Sequence, residues 1–228
     1  MTINTEPIRT LTFDVVGSDE RLELSSYDLV VAGYTGRDEA SVQHHIDELA
    51  AIGIPAPDSV PSFYELASEL VTQDDRIQVS GSNSSGEVEP VLIRSGGRLF
   101  LSVGSDHTDR DIERSSVADS KAACPKPVSK LAVALDGPSP DWDAIAAHST
   151  VDGADYQRGQ LDALRIPTDV LDLYDARHDG QKRDLVMFCG TLSLIDGVFV
   201  AGRDWELSIT LPDGTALTHT YAVDQKKA

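Results

Sequence analysis

The sequence predicts a mainly β, α+β protein, and three observations carry that prediction. Short apolar runs rich in Val, Ile, Leu and Phe stand at both ends of the chain. Turn signals break them at Gly17-Ser18-Asp19, Gly96-Gly97 and Pro212-Asp213-Gly214. Helical patterns fall between these ends and show no regular βαβ alternation.

Taken in order, "LTFDVV" (11–16) and "RLELSSYDLVVAGY" (21–34) read as strands. A helix follows: Val42, Ile46 and Leu49 make a helical stripe, Asp38 caps its start, Gly53 suits its end and Pro55 lies beyond. "PSFYELASELV" (61–71) predicts a second, shorter helix. Residues 76–106 read as β-structure, with "EVEPVLI" and "LFLSVGSD" as arms of a hairpin around Gly96-Gly97. "CPKP" predicts a rigid turn and "GPSPDWD" (137–143) a connector. Helical patterns return in 141–148 and 155–178. "DLVMFCGTL", "WELSITL" and "ALTHTYAV" close the chain as strands. No internal repeat or low-complexity tract is present.

A length of 228 residues and an apolar fraction of 40% give ample material for a buried core. The expected organisation is a single domain over 1–228, with the strands of 1–30 packed on the rest. A formal charge of −19 repels phosphate backbones and anionic lipid, so nucleic acid and membrane surfaces are excluded as expected partners. The N-terminus lacks a secretory pattern and no apolar run approaches a membrane span, so a cytoplasmic protein is expected. Cys124 and Cys189 show no metal spacing and are read as reduced thiols.

The hairpin makes a specific statement about three carboxylates. If Gly96-Gly97 is the turn, cross-strand partners sum to a constant. Glu87 then opposes Asp106, and Glu89 opposes Gly104 on the same face. Pro90 is the complication, because an edge or bulge there would shift the register. Three converging carboxylates cannot all stay ionised without compensation. A hard divalent cation would supply it, and Gly86 and Gly104 would leave room for a ligand. The alternative is a solvated strand face of alternating polarity. The opposed Asp106 and the glycine pair favour the metal.

At these residues the chain resembles the fumarylacetoacetate hydrolase superfamily, as a divergent branch. The matching stretches are "HIDE" (45–48), "EVE" (87–89), "SDHTDRD" (105–111), Lys121 in "DSKAACPKP", and "CGTL" (189–192). They stand in the family's order and span about residues 30–223. The resemblance implies a mixed β-roll with layered sheets and few peripheral helices, a homodimer, and one catalytic domain. It implies Mg²⁺ or Mn²⁺, with Ca²⁺ as a further candidate, on Glu87, Glu89 and Asp106. It makes His45 and Glu48 an acid–base dyad, Lys121 the active-site lysine, Arg110 a substrate-side arginine and Thr191 the threonine of the late turn, which either binds a substrate carboxylate or caps the strand; Tyr64 is read as a substrate contact in the space left by a missing lysine, or as core. Periodicity alone reads His45 and Glu48 as a surface pair, and Arg110 and Lys121 equally suit plain ion pairs.

The implied activity is metal-dependent hydrolysis of a carbon–carbon bond in a small keto acid of acylpyruvate type. The alternatives are decarboxylation, hydration or isomerisation at the same metal site, or non-catalytic small-molecule binding on the same fold. The sequence departs from the family where Glu65 replaces a lysine, Ser105 an asparagine, Glu113 a glutamine and Leu192 a proline. Tyr34 also stands further from His45 than the family's tyrosine does. These departures predict a changed substrate pocket around an intact metal site. Lys126, His107, His148, His178 and His219 are read as structural.

Overall fold

The computed structural model describes residues 10–51, 56–178 and 183–226, and excludes the side chains of His45, Glu48 and Leu49. Its frame is two sheets. The larger is built from β1 (Leu11–Val15), β2 (Arg21–Leu24), β3 (Asp28–Gly33), β4 (Ser62–Leu66), β6 (Val88–Ser95), β7 (Arg98–Ser105), β8 (Leu131–Ala134) and β11 (Leu185–Phe188). Its spatial order is β2-β1-β8-β7-β6-β11-β3-β4. The smaller sheet takes β5 (Arg76–Val79), β9 (Ala146–Val151), β10 (Ala154–Gln160), β12 (Asp204–Thr210) and β13 (Ala216–Gln225), in the order β10-β9-β12-β13-β5. Both are mixed: β1 runs parallel to β8, β11 to β3, and β13 to β5.

The central hairpin β6–β7 is buried along almost its whole length, and the two faces serve two cores. Val88, Leu92, Leu101 and Val103 face the small sheet, where Trp205, Leu207, Ile209 and Leu217 meet them. Val91, Ile93 and Phe100 point the other way. There the curl of the same sheet brings Leu11, Phe13 and Leu24 over them. Burying a side chain of this size contributes about 1.5–3 kcal/mol, so a strand packed on both faces is the natural spine.

Helix α1 (Glu39–Ala51) follows β3, as its stripe predicts; residues 52–55, including Gly53 and Pro55, lie outside the described residues. Two expected helices are absent, and a third is shorter than its pattern. Residues 61–71 form β4 and one 3₁₀ turn, Ser68–Leu70. Residues 141–148 form a 3₁₀ turn, Trp142–Ala144, and then enter β9. Residues 155–178 begin as β10 and become helical only in the helix Pro167–Arg177. The misleading signal was a three-residue spacing. Trp142 and Ile145, like Leu161 and Leu164, are buried pairs at i and i+3, which a single 3₁₀ turn satisfies without a helix.

The hairpin keeps the register that its turn dictates, from Val88 opposite Ser105 to Ser95 opposite Arg98, with no shift. Pro90 is absorbed without a bulge for a geometric reason. Its carbonyl accepts from Cys189 N, so its missing N–H also faces β11, and that ladder begins only at Val91. The glycines are a correction. A Cβ at Gly104 would stand 2.6 Å from Phe188 and 2.8 Å from Pro127 O. One at Gly86 would stand 2.4 Å from Tyr221 Oη. Protein atoms fill both spaces, so neither glycine makes room for a ligand.

Candidate metal centre and cleft

The register brings Glu87, Glu89 and Asp106 together. A carboxylate oxygen from each lies within 4.8 Å of the others, and Glu89 and Asp106 are buried. The site sits on the face of the hairpin that carries Val91 and Ile93, where the strand backbone passes from apolar to acidic side chains. Asp106 N donates to Glu87 O at 3.1 Å, which extends the ladder one pair beyond β6.

Different elements address each carboxylate. Asp106 Oδ2 accepts from Lys121 Nζ, and Oδ1 stands 2.9 Å from Lys126 Nζ. Lys121 arrives on a short helix, Val117–Ala122, capped by Ser116. Lys126 follows its end and donates also to His107 O at 2.6 Å. Burial would raise the Asp106 pKa, but the two ammonium groups outweigh it and hold the carboxyl well below its usual range. Burial likewise opposes the charge on Lys121, yet Asp106, Glu87 and Glu89 keep its pKa above the ordinary value. Lys126 is pushed down by burial, with Lys121 beside it adding to the effect and Asp106 opposing it.

Glu89 is the opposite case. Burial, then Asp106, then Glu87 push its pKa well above the ordinary value, although Lys121 and a bond from Gly190 N to Oε2 at 2.8 Å oppose them. Gly190 holds φ at +105°, and a Cβ there would overlap Thr35 Oγ1 at 1.7 Å, so only glycine brings this N–H onto the carboxylate. Glu87 pairs with Arg110 Nη2 at 3.0 Å, outside hydrogen-bonding geometry. Arg110 opens a short helix, Arg110–Glu113, capped by the Asp109 side chain. Its Nε donates to Ser85 Oγ at 2.7 Å, its Nη1 to Glu113, and its face lies 3.7 Å from the Phe199 ring centre.

An all-oxygen donor set suits a hard divalent cation. Asp106 Oδ2 carries one partner, Lys121, and keeps a lone pair, while Oδ1 meets Lys126 and, at 3.5 Å, the Thr108 hydroxyl; Glu89 is strained by burial and then by its neighbours' charge. A cation among the three would remove that strain. The residues present therefore fit a hard divalent cation.

Glu87 and Glu89 open into a cleft of about 1030 Å³, and Asp106 is buried behind them. Lys121, Arg110, Tyr64 and Thr191 all line it. Lys121 Nζ is 5.8 Å from the Tyr64 ring centre. The Thr191 hydroxyl donates to Val88 O at 2.9 Å and accepts from Gln157 Nε2 at 2.7 Å. The helix α1 reaches the same cleft with Ser41 and Val42. The side chains of His45 and Glu48 lie outside those described.

Sequence reasoning missed Gln157. It is fully buried; Oε1 accepts from Val88 N at 2.9 Å, between the two glutamates, and Nε2 donates to Leu192 O at 2.6 Å. Lys126, read as structural, is part of the carboxylate cluster. No local pattern marks either residue, because each acts through a partner distant in sequence.

No curated protein matches the sequence. Among solved structures, the fumarylpyruvate hydrolase from Pseudomonas aeruginosa, in complex with Mn²⁺ and pyruvate, is 18% identical over 97% of each chain, with a TM-score of 0.66. The 5-carboxymethyl-2-hydroxymuconate delta-isomerase from Mycobacterium smegmatis is 17% identical over 87% of this chain and 77% of its own, with a TM-score of 0.59. These likenesses establish the fumarylacetoacetate hydrolase fold. The family model described as "Protein of unknown function (DUF2848)" matches residues 32–221. The chain thus belongs to the DUF2848 family and carries that family's sequence on a fumarylacetoacetate hydrolase fold.

Proposed function

We propose that this chain is a cytoplasmic, divalent-metal-dependent hydrolase that cleaves a carbon–carbon bond in a small keto acid of acylpyruvate type. The observation that carries the reading is the convergence of Glu87, Glu89 and Asp106 within 4.8 Å, with Glu87 and Glu89 on the wall of a large cleft and Asp106 buried behind them. These three would hold the ion. When bound there, Mg²⁺ or Mn²⁺ supplies Lewis-acid stabilisation of the negative charge that develops on the keto-carboxylate end.

The chain's own residues do the rest. Lys121 and Lys126 keep Asp106 ionised, Arg110 restrains Glu87, and Gly190 N–H restrains Glu89. Lys121 also presents an ammonium to the cleft, where it can stabilise an enolate leaving group. His45, with Glu48, takes the proton of the attacking water, which adds to the acyl carbonyl. The bond to the pyruvate methylene then breaks, its electron pair leaves as the enolate, and the proton taken from water returns to the enolate carbon to give pyruvate and the carboxylic acid. Tyr64, Thr191 and Arg110 complete the substrate wall.

Isomerisation is the second reading, favoured by the isomerase among the structural neighbours. Decarboxylation, hydration and plain ligand binding use the same ion site. The test is turnover of an acylpyruvate panel with added Mg²⁺ or Mn²⁺, beside calorimetric titration of Mn²⁺ into wild type and Glu89→Ala. The expected result is metal-dependent release of pyruvate, with metal binding lost in the variant. Unchanged Mn²⁺ affinity in Glu89→Ala would refute the metal site.

A further inference from the structure

The cleft is far larger than a keto-carboxylate needs. At about 1030 Å³ it reaches the top of the range for small-molecule pockets. Much of its lining is apolar. Beyond Gly190, which binds Glu89, Leu192 and Leu194 of the following segment line it, together with Val42, Leu164 and Phe199. Leu194 is tied down by a bridge to Gln157, and Phe199 by its stacking on Arg110.

The charges tell the same story. Four cations line the cleft among the described residues: Arg37, Arg110, Arg114 and Lys121. Arg37 is held bidentately by Asp143 at 2.7 and 3.0 Å and donates to Leu164 O. Arg110 is shared among Glu87, Glu113 and Ser85, and Lys121 is bound to Asp106. Arg114 is at the rim, with its side chain 76% exposed and Asp111 at 3.9 Å. Asp38, Glu113 and Asp162 also line the cleft. A second carboxylate on the ligand would meet cations that are already engaged, three further acids and a chain of net charge −19.

We infer that the cleft takes a 2-oxo acid with a single carboxylate and an apolar distal group, alkyl or aryl, rather than a dicarboxylate. The inference rests on the metal-dependent keto-acid reading above. It gives Val42, Leu164, Leu192, Leu194 and Phe199 the role of specificity wall.

The experiment is calorimetric titration of the Mn²⁺-loaded full chain with three probes: oxalate, 2-oxooctanoate and 2-oxooctanedioate. Oxalate binding reports the ion site alone. The expected result is that the monoacid binds at least about tenfold tighter than the dioate of equal length, a factor worth about 1.4 kcal/mol. Leu194→Lys and Val42→Lys should each cut that preference about tenfold, and two positions guard against one variant failing to fold. Equal or tighter binding of the dioate, with oxalate still bound, overturns the inference alone. Failure of oxalate to bind overturns the metal reading and the inference with it. An unchanged preference in both lysine variants, or loss of dioate binding in Arg114→Ala, also overturns it.

Discussion

His107 sits between two hydroxyls, with Nδ1 at 3.0 Å from Tyr221 Oη and Nε2 at 2.9 Å from Ser84 Oγ. Burial, then the nearby charges of Lys126 and Arg110, push its pKa down to about 3. The unfolded imidazole titrates near its ordinary 6.5, so the unfolded chain binds more protons between these values. The stabilisation is therefore complete above that ordinary value and drains away as the pH falls towards 3, by up to about 1.4 kcal/mol per pH unit. His107→Gln keeps a donor and an acceptor but cannot take the proton. Urea unfolding at about pH 6.5 and about pH 5 should show a shallower loss in the variant than in wild type, and parallel losses would refute the assignment. The sequence already marked this residue as structural, because no ligand spacing surrounds it. Lys126 and Gln157 were less legible. A buried lysine and a buried glutamine take their meaning from Asp106 and Val88, and only the folded chain brings those partners near.

At the scale of elements, the hairpin was the most readable part of the chain. Gly96 and Gly97 both have positive φ, at 55° and 83°, so the turn fixes the register and the register fixes which carboxylates meet. The helices were the least readable. Tertiary pairing claimed "SFYEL" and "AAH" (146–148), both read as helical, as strands, and Ala147 finds a buried place between β10 and β12. The glycines flanking the site were read as ligand space but are packing contacts. Gly104→Ala should therefore destabilise the fold by about 1–3 kcal/mol, the usual cost of overpacking. A denaturant titration checks this. Unchanged stability with weakened Mn²⁺ binding would restore the ligand-space reading.

For the whole molecule, the order of the motifs along the chain was legible, and so was the layered mainly-β architecture. The strand order of the two sheets was not, because neighbours such as β1 and β8, or β5 and β13, are far apart in sequence and their pairing is not written locally. Net charge acts on this scale too. With 38 acidic residues against 19 basic ones, self-repulsion opposes the compact state and salt screens it. Raising NaCl from about 0.02 M to about 0.5 M should raise the melting temperature by a few degrees, as the screening length shrinks from about 20 Å to about 4 Å. A melting temperature that falls over that range would mean that ion pairs outweigh the repulsion.

The Gln157 side chain spans the gap between the sheets. It stands in the smaller sheet, yet it holds the Val88 amide of the larger one and the turn that carries Thr191. The proton on Val88 thereby becomes a clock. It can exchange with deuterium from solvent only when the layers separate, and that same separation pulls the glutamates on either side of it out of alignment. The rate at which this one amide exchanges measures how often the candidate ion site falls apart.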